Sequence, residues 1–157
     1  MKRKGGLSRK VRKPIKEAWR VEFNTDTCSL CEMCVNRCPT QALFLRRTDR
    51  KVEILFDSGL CNGCGGEIYC EIHCPEAAVT ATRIPVEGLP SEPVLLIAGE
   101  MAICLDCGRP YMPERKLAAL LEQGKITPKP VQKFCPACRR DRLIDSYLSI
   151  TDRIAGK

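Results

Sequence analysis

The sequence predicts an α+β protein built in two small parts. A duplicated ββα domain stapled by metal spans residues 21–84, and a metal-knuckle ribbon with a helix spans 94–157. Three observations predict this. Twelve cysteines in 157 residues are about 8% of the chain, the density of a stapled framework rather than of a large apolar core. Eight of them fall in two runs with matching flanks, and the last four come as two Cys-x2-Cys pairs.

The elements follow in chain order. Residues 1–20 form a basic arm with nine Lys/Arg and one acid, Glu17, a balance of +8. The rest of the chain balances at −1, so the overall +7 describes the arm and not the body. Such an arm suits an acidic protein surface, anionic lipid headgroups or nucleic acid. Nucleic acid is disfavoured, because the only nearby aromatics are Trp19 and Phe23. The arm lacks an apolar stretch and cleavage site, which argues against a secretory signal, and no run is long enough to span a membrane. The expected location is the cytoplasm. Thiols stay reduced there, so clustered cysteines read as metal ligands and not disulfides.

Residues 21–84 repeat a plan. "VEFNTDTC" and "VEILFDSGLC" lead into the two runs, and "CPTQALFL" and "CPEAAVTA" close them. Val21–Phe23, Leu43–Leu45, Val52–Phe56 and Val79–Thr82 read as strands, and Pro39 and Pro75 as the first residues of short helices. Residues 85–93, "PVEGLPSEP", read as a linker. "VLLIAGEMAIC" predicts a strand or hairpin, "PERKLAALLEQG" an amphipathic helix ended by Gly124, and "RLIDSYLSITDRI" a closing helix.

The first run, Cys28-x2-Cys31-x2-Cys34-x3-Cys38-Pro39, has the spacing of an iron–sulfur loop. Three thiolates come round a tight turn to one cluster, and the fourth cysteine points to another. The second run, Cys61-x2-Cys64-x5-Cys70-x3-Cys74-Pro75, is longer by three residues, a detour that Gly63, Gly65 and Gly66 make sterically cheap. His73, the only histidine, reads as a surface or packing residue rather than a ligand, and Ala42 and Ala77 as small residues allowing close packing against a cluster.

On these motifs residues 21–84 resemble a bacterial-type ferredoxin domain with two [4Fe–4S] clusters. The resemblance implies a first cluster on Cys28, Cys31, Cys34 and Cys74, and a second on Cys61, Cys64, Cys70 and Cys38.

Cys104-x2-Cys107 with Gly108 and Pro110, and Cys135-Pro-x-Cys138, form two knuckle-like pairs. Together they suit one tetrahedral ion, Zn²⁺ or mononuclear iron, in a zinc-ribbon or rubredoxin-like site. A third [4Fe–4S] cluster remains the alternative. The order of a two-cluster domain, "CLDCGRPYMPERKLAALLEQG", "FCPACRR" and "SITDRI" resembles the small iron–sulfur subunit of formate hydrogenlyase and other energy-converting hydrogenases. That subunit is in turn similar to the two-cluster subunit of respiratory complex I. The resemblance implies electron transfer between redox subunits of a larger oxidoreductase, with the basic arm as one contact to a membrane arm and peripheral attachment to the inner face of the membrane through partners. Two other readings are a small three-cluster subunit of a soluble tungsten or molybdenum oxidoreductase and a nucleic-acid-binding zinc ribbon. No phosphate loop, second histidine or nucleophile–base pair is visible, so neither catalysis by this chain alone nor a small-molecule substrate is expected.

Overall fold

The computed structural model describes residues 17–87, 89–90, 92–126 and 133–154. Most of the basic arm therefore lies outside the described residues, and so does its expected docking role. The elements are β1 (Glu17–Phe23), α1 (Met33–Asn36), β2 (Leu43–Arg47), β3 (Lys51–Phe56), α2 (Tyr69–Ile72), β4 (Val79–Pro85), β5 (Val94–Ile103), β6 (Pro110–Pro113), α3 (Glu114–Glu122) and α4 (Pro136–Ile154).

β1 and β4 pair antiparallel, from Glu17 opposite Pro85 to Phe23 opposite Val79. A second, four-stranded sheet has the order β2-β3-β5-β6. Its β2–β3 pairing runs from Leu43 opposite Phe56 to Arg47 opposite Val52. β5 lies antiparallel to β3, with Ile97 opposite Ile54. One sheet therefore runs across residues 85–93, and Pro85 itself ends β4. "VLLIAGEMAIC" is a single long strand, not a hairpin, because its partners are β3 on one side and β6 on the other.

The duplication reaches the backbone. Asn24 and Asp57 each stand four residues before the first cysteine of a run. Their Oδ1 atoms accept from the N–H of Asp26 (3.0 Å) and of Gly59 (2.9 Å), and their own N–H groups donate to Ala78 O and Ala42 O, both at 2.8 Å. These side-chain turns bend the chain from strand into cysteine loop.

Two expectations need correction. The short helices precede the Cys-Pro pairs, so Pro39 and Pro75 start no helix. Each occupies the second position of a β-turn, closed by Gln41 N–H to Cys38 O (3.3 Å) and Ala77 N–H to Cys74 O (3.2 Å). Proline's fixed φ suits that position. The equivalent of Ala42 is Ala78 and not Ala77: Ala42 and Ala78 are fully buried, whereas Ala77 is exposed with φ +47.

The core alternates along β3, where Val52, Ile54 and Phe56 face inward with Val21, Leu43, Val79, Ile97 and Met101. Leu30, from the first cysteine loop, is completely buried. A Cβ on Gly99 of β5 would stand 2.3 Å from Leu30 Cδ1, so only glycine admits that side chain. Full burial of one leucine is worth about 2 kcal/mol. Here it also ties the loop to β5. α4 begins at Pro136, earlier than the sequence pattern indicates, with proline at the first helical position, where its missing N–H costs nothing.

Candidate iron–sulfur and metal centres

The first cysteine loop turns tightly because Leu30 (φ +56) and Glu32 (φ +67) adopt left-handed backbone conformations. Such residues cost roughly 1–3 kcal/mol each and persist where surroundings fix them. Burial holds Leu30, and an ion pair with Arg47 at 2.5 Å holds Glu32. α1 then delivers Cys34 inward.

The second loop takes left-handed values at Gly63, Cys64, Gly65 and Gly66 in succession. Asn62 Oδ1 accepts the Cys64 N–H at 2.9 Å and fixes its start. Its glycines have different reasons. Gly65 and Gly66 face open space, whereas a Cβ on Gly63 would stand 2.1 Å from the Trp19 indole nitrogen. Nothing in the cysteine spacing points to Trp19, but it presses on this loop from β1.

Two cavities result. One is lined by Cys28, Cys31, Cys34 and Cys74, with Phe23, Ile54 and Val79 among its apolar walls. The other is lined by Cys38, Cys61, Cys64 and Cys70, with Trp19, Val21, Phe56 and Ile68. Each holds three cysteines of one run and the last cysteine of the other. Ala78 N–H donates to Cys74 Sγ at 3.2 Å, an amide–sulfur bond that offsets negative charge on the ligand. Burial pushes the Cys34 and Cys70 thiols up to about 12 and raises Cys28 and Cys61. Val21 and Phe56 line one cavity and Phe23 and Ile54 of the same two strands line the other, so the cavities are neighbours. The raised thiols, Cys28 and Cys34 in one cavity and Cys61 and Cys70 in the other, resist ionisation until cations replace their protons, which suits these donors to iron. His73 is exposed, its ring 5.9 Å from that of Tyr69, and it lines neither cavity.

The last four cysteines meet differently. The sulfurs of Cys104, Cys107, Cys135 and Cys138 all lie within 4.8 Å of one another, with Cys107 and Cys135 at 3.8 Å. A tetrahedral ion with Zn–S bonds of about 2.3 Å needs sulfur–sulfur edges of roughly 3.8 Å. A cubane must fit four irons between its thiolates and would hold them further apart. The knuckles are built from Gly108 (φ +68), from Cys104 N–H to Arg109 O (2.9 Å) and from Gly108 N–H to Cys104 O (2.9 Å). Leu105 N–H to Lys133 O (2.8 Å) joins one knuckle to the other.

Amides also point at sulfur here: Cys135 N–H to Cys104 Sγ at 3.3 Å and Cys138 N–H to Cys135 Sγ at 3.5 Å. Burial pushes the Cys104 thiol up, but amide hydrogen bonds from Cys107, Cys135 and Asp106 together outweigh it and bring it down to about 6. The Arg109 amide lowers Cys107, while hydrogen bonding with Cys135 pushes Cys138 up to about 12.

A 4Fe-4S binding domain matches residues 21–44, which carry Cys28, Cys31, Cys34 and Cys38. The chain thus resembles ferredoxin-like iron–sulfur proteins. It is 26% identical over 116 residues to the polyferredoxin protein MvhB of Methanothermus fervidus, covering 73% of this chain and 26% of that protein. Against the MvhB of Methanothermobacter marburgensis it is 27% identical over 117 residues, covering 73% and 26%. The chain thus spans about a quarter of the length of these curated relatives. Among the described residues no helix is long and apolar enough to cross a membrane.

Proposed function

We propose that the chain is a non-catalytic electron-transfer module of a larger oxidoreductase, carrying electrons between two [4Fe–4S] clusters. The first cluster is assigned to Cys28, Cys31, Cys34 and Cys74, and the second to Cys61, Cys64, Cys70 and Cys38. The observation that carries this reading is the pair of neighbouring cavities, each lined by four cysteines exchanged between the two runs. When bound, the clusters supply one-electron chemistry. The chain's part is to hold them close together, to exclude water with Trp19, Phe23, Ile54 and Phe56, and to direct amides at sulfur.

Cys104, Cys107, Cys135 and Cys138 are assigned a single ion, Zn²⁺ in the first instance, on the crowding of their sulfurs. That crowding favours two clusters and one ion over the three-cluster tungsten- or molybdenum-enzyme reading. The redox-complex setting is supported by the likeness to polyferredoxins and by the order of the cysteine sets. A hydrogenase or complex I-like parent is the specific form proposed, with the module on the cytoplasmic side and partner redox subunits as electron donor and acceptor.

The test is elemental analysis of anaerobically purified protein. The expected content per chain is about eight irons, about eight acid-labile sulfides and about one zinc. About twelve irons without zinc would replace this reading by the three-cluster one.

A further inference from the structure

The two cavities differ in what covers them. α3 packs on β5 and β6 and, of the two cysteine loops, bonds to the Cys28 loop. The Arg115 guanidinium donates through Nη2 to Thr25 O, and Lys116 Nζ donates to Cys31 O at 3.5 Å. Arg115 also lies against Gly99, beside the buried Leu30 of the same loop. The Cys61 loop has Trp19 against Gly63 and open space over Gly65 and Gly66. No Lys or Arg occurs between Lys51 and Arg83, the stretch that holds the Cys61 loop.

We infer that Arg115 and Lys116 are tuning residues that raise the reduction potential of the Cys28/Cys31/Cys34/Cys74 centre and leave the other centre nearly untouched. This rests on the two-cluster reading above. Reduction adds one electron, and hence one negative charge, at the cavity. That electron comes from a low-potential one-electron donor, dithionite in the experiment below. Cations held on the loop carbonyls favour the more negative state, and their effect falls with distance. Asp26, Glu76 and Glu122 line the opening beside Arg115 and oppose it. Among the hydrogen bonds to the loop backbone, those from α3 come from the two cations. The stapled C-terminal part thereby has an electronic role: it carries positive charge to one end of the relay.

The experiment is a dithionite titration of the anaerobic full-length protein followed by electron paramagnetic resonance. Cys31→Ser and Cys64→Ser variants assign the two signals. In Arg115→Gln/Lys116→Gln the Cys28-side signal is expected to shift to lower potential. The expected shift is about tenfold in its oxidised-to-reduced ratio at fixed potential, or about 59 mV for one electron. The other signal should move far less, and Arg115→Lys should retain the original potential. Lys116→Gln alone gives the same direction with a smaller shift and guards against misfolding of the double variant. Unmoved potentials, or equal movement of both signals, overturn the inference alone. Fewer than two cubane signals in the unsubstituted protein overturns both the inference and the two-cluster reading.

Discussion

The protein gathers cysteines in two ways. In the paired cavities the sulfurs sit among Val21, Ile54 and Phe56, and burial raises Cys28, Cys34, Cys61 and Cys70, with Cys34 and Cys70 at about 12. At the knuckles the four sulfurs lie within 4.8 Å of one another and amides point at them, so Cys104 falls to about 6 despite its burial. The first arrangement sets four sulfurs against apolar walls. The second has the spacing of a single-ion site. The contrast also bears on how each site depends on the fold. The cavities share their walls with the core, whereas the knuckles stand at the ends of β5, β6 and α4 and are joined mainly through backbone bonds such as Leu105 N–H to Lys133 O.

Deleting one ligand from each kind of site breaks the comparison most sharply. Cys135→Ala should abolish zinc, keep about eight irons and lower the melting temperature by about 10 °C. Cys70→Ala should keep the zinc and lose the iron of the cavity it lines. Metal analysis and calorimetry read both. If Cys135→Ala emptied the cavities as well, the two kinds of site would not be separable.

The loop glycines come next. Gly63 and Gly65 both have positive φ, +65 and +74, but only Gly63 meets a neighbour, the Trp19 indole. Gly65→Ala should cost only the conformational penalty, about 1 kcal/mol. Gly63→Ala adds an overpacking cost of about 1–3 kcal/mol. In a Trp19→Ala background the two substitutions should converge, and denaturant unfolding of the four variants measures the coupling. Equal costs in both backgrounds would remove Trp19 from the account of this loop.

These glycines also show what could be read from the chain alone. Both cysteine runs, four core strands and α3 were legible, because spacing and alternation are local properties of sequence. Gly63, Gly65 and Gly66 looked alike in sequence, and only tertiary packing separates them. Asn24 and Asp57 were findable, since the duplication puts each four residues before a run's first cysteine. The same bookkeeping would have selected Ala78 in place of Ala77. Arg115 and Lys116 lie 84 or more positions beyond Cys31. They looked like solvated positions at the start of an amphipathic helix, and no local pattern indicates that β5, paired to β3, carries them to that loop.

The smallest expected effect concerns the tie between the first knuckle and α4. Arg142 bonds Asp106 through Nε at 2.6 Å and through Nη2, and its guanidinium lies 4.1 Å from the Phe134 ring centroid. Hydrogen bonding to Arg142 holds the Asp106 carboxyl below the usual carboxylate range. A depressed carboxylate contributes stability above its unfolded value near 3.8, and that contribution is lost as pH falls through the lower folded value. At neutral pH it is therefore fully present, but both partners are solvent-facing and screened. Asp106→Asn should lower the melting temperature by only about 1 °C in dilute buffer, and the difference should vanish in molar salt. Arg142→Ala should cost more and keep part of its cost in salt, because it also removes the stack on Phe134. Equal effects of the two substitutions at every salt concentration would reduce this tie to the ion pair alone. A larger and salt-resistant loss in Arg142→Ala would make the Phe134 stack a contact that adds to the ion pair with the first knuckle.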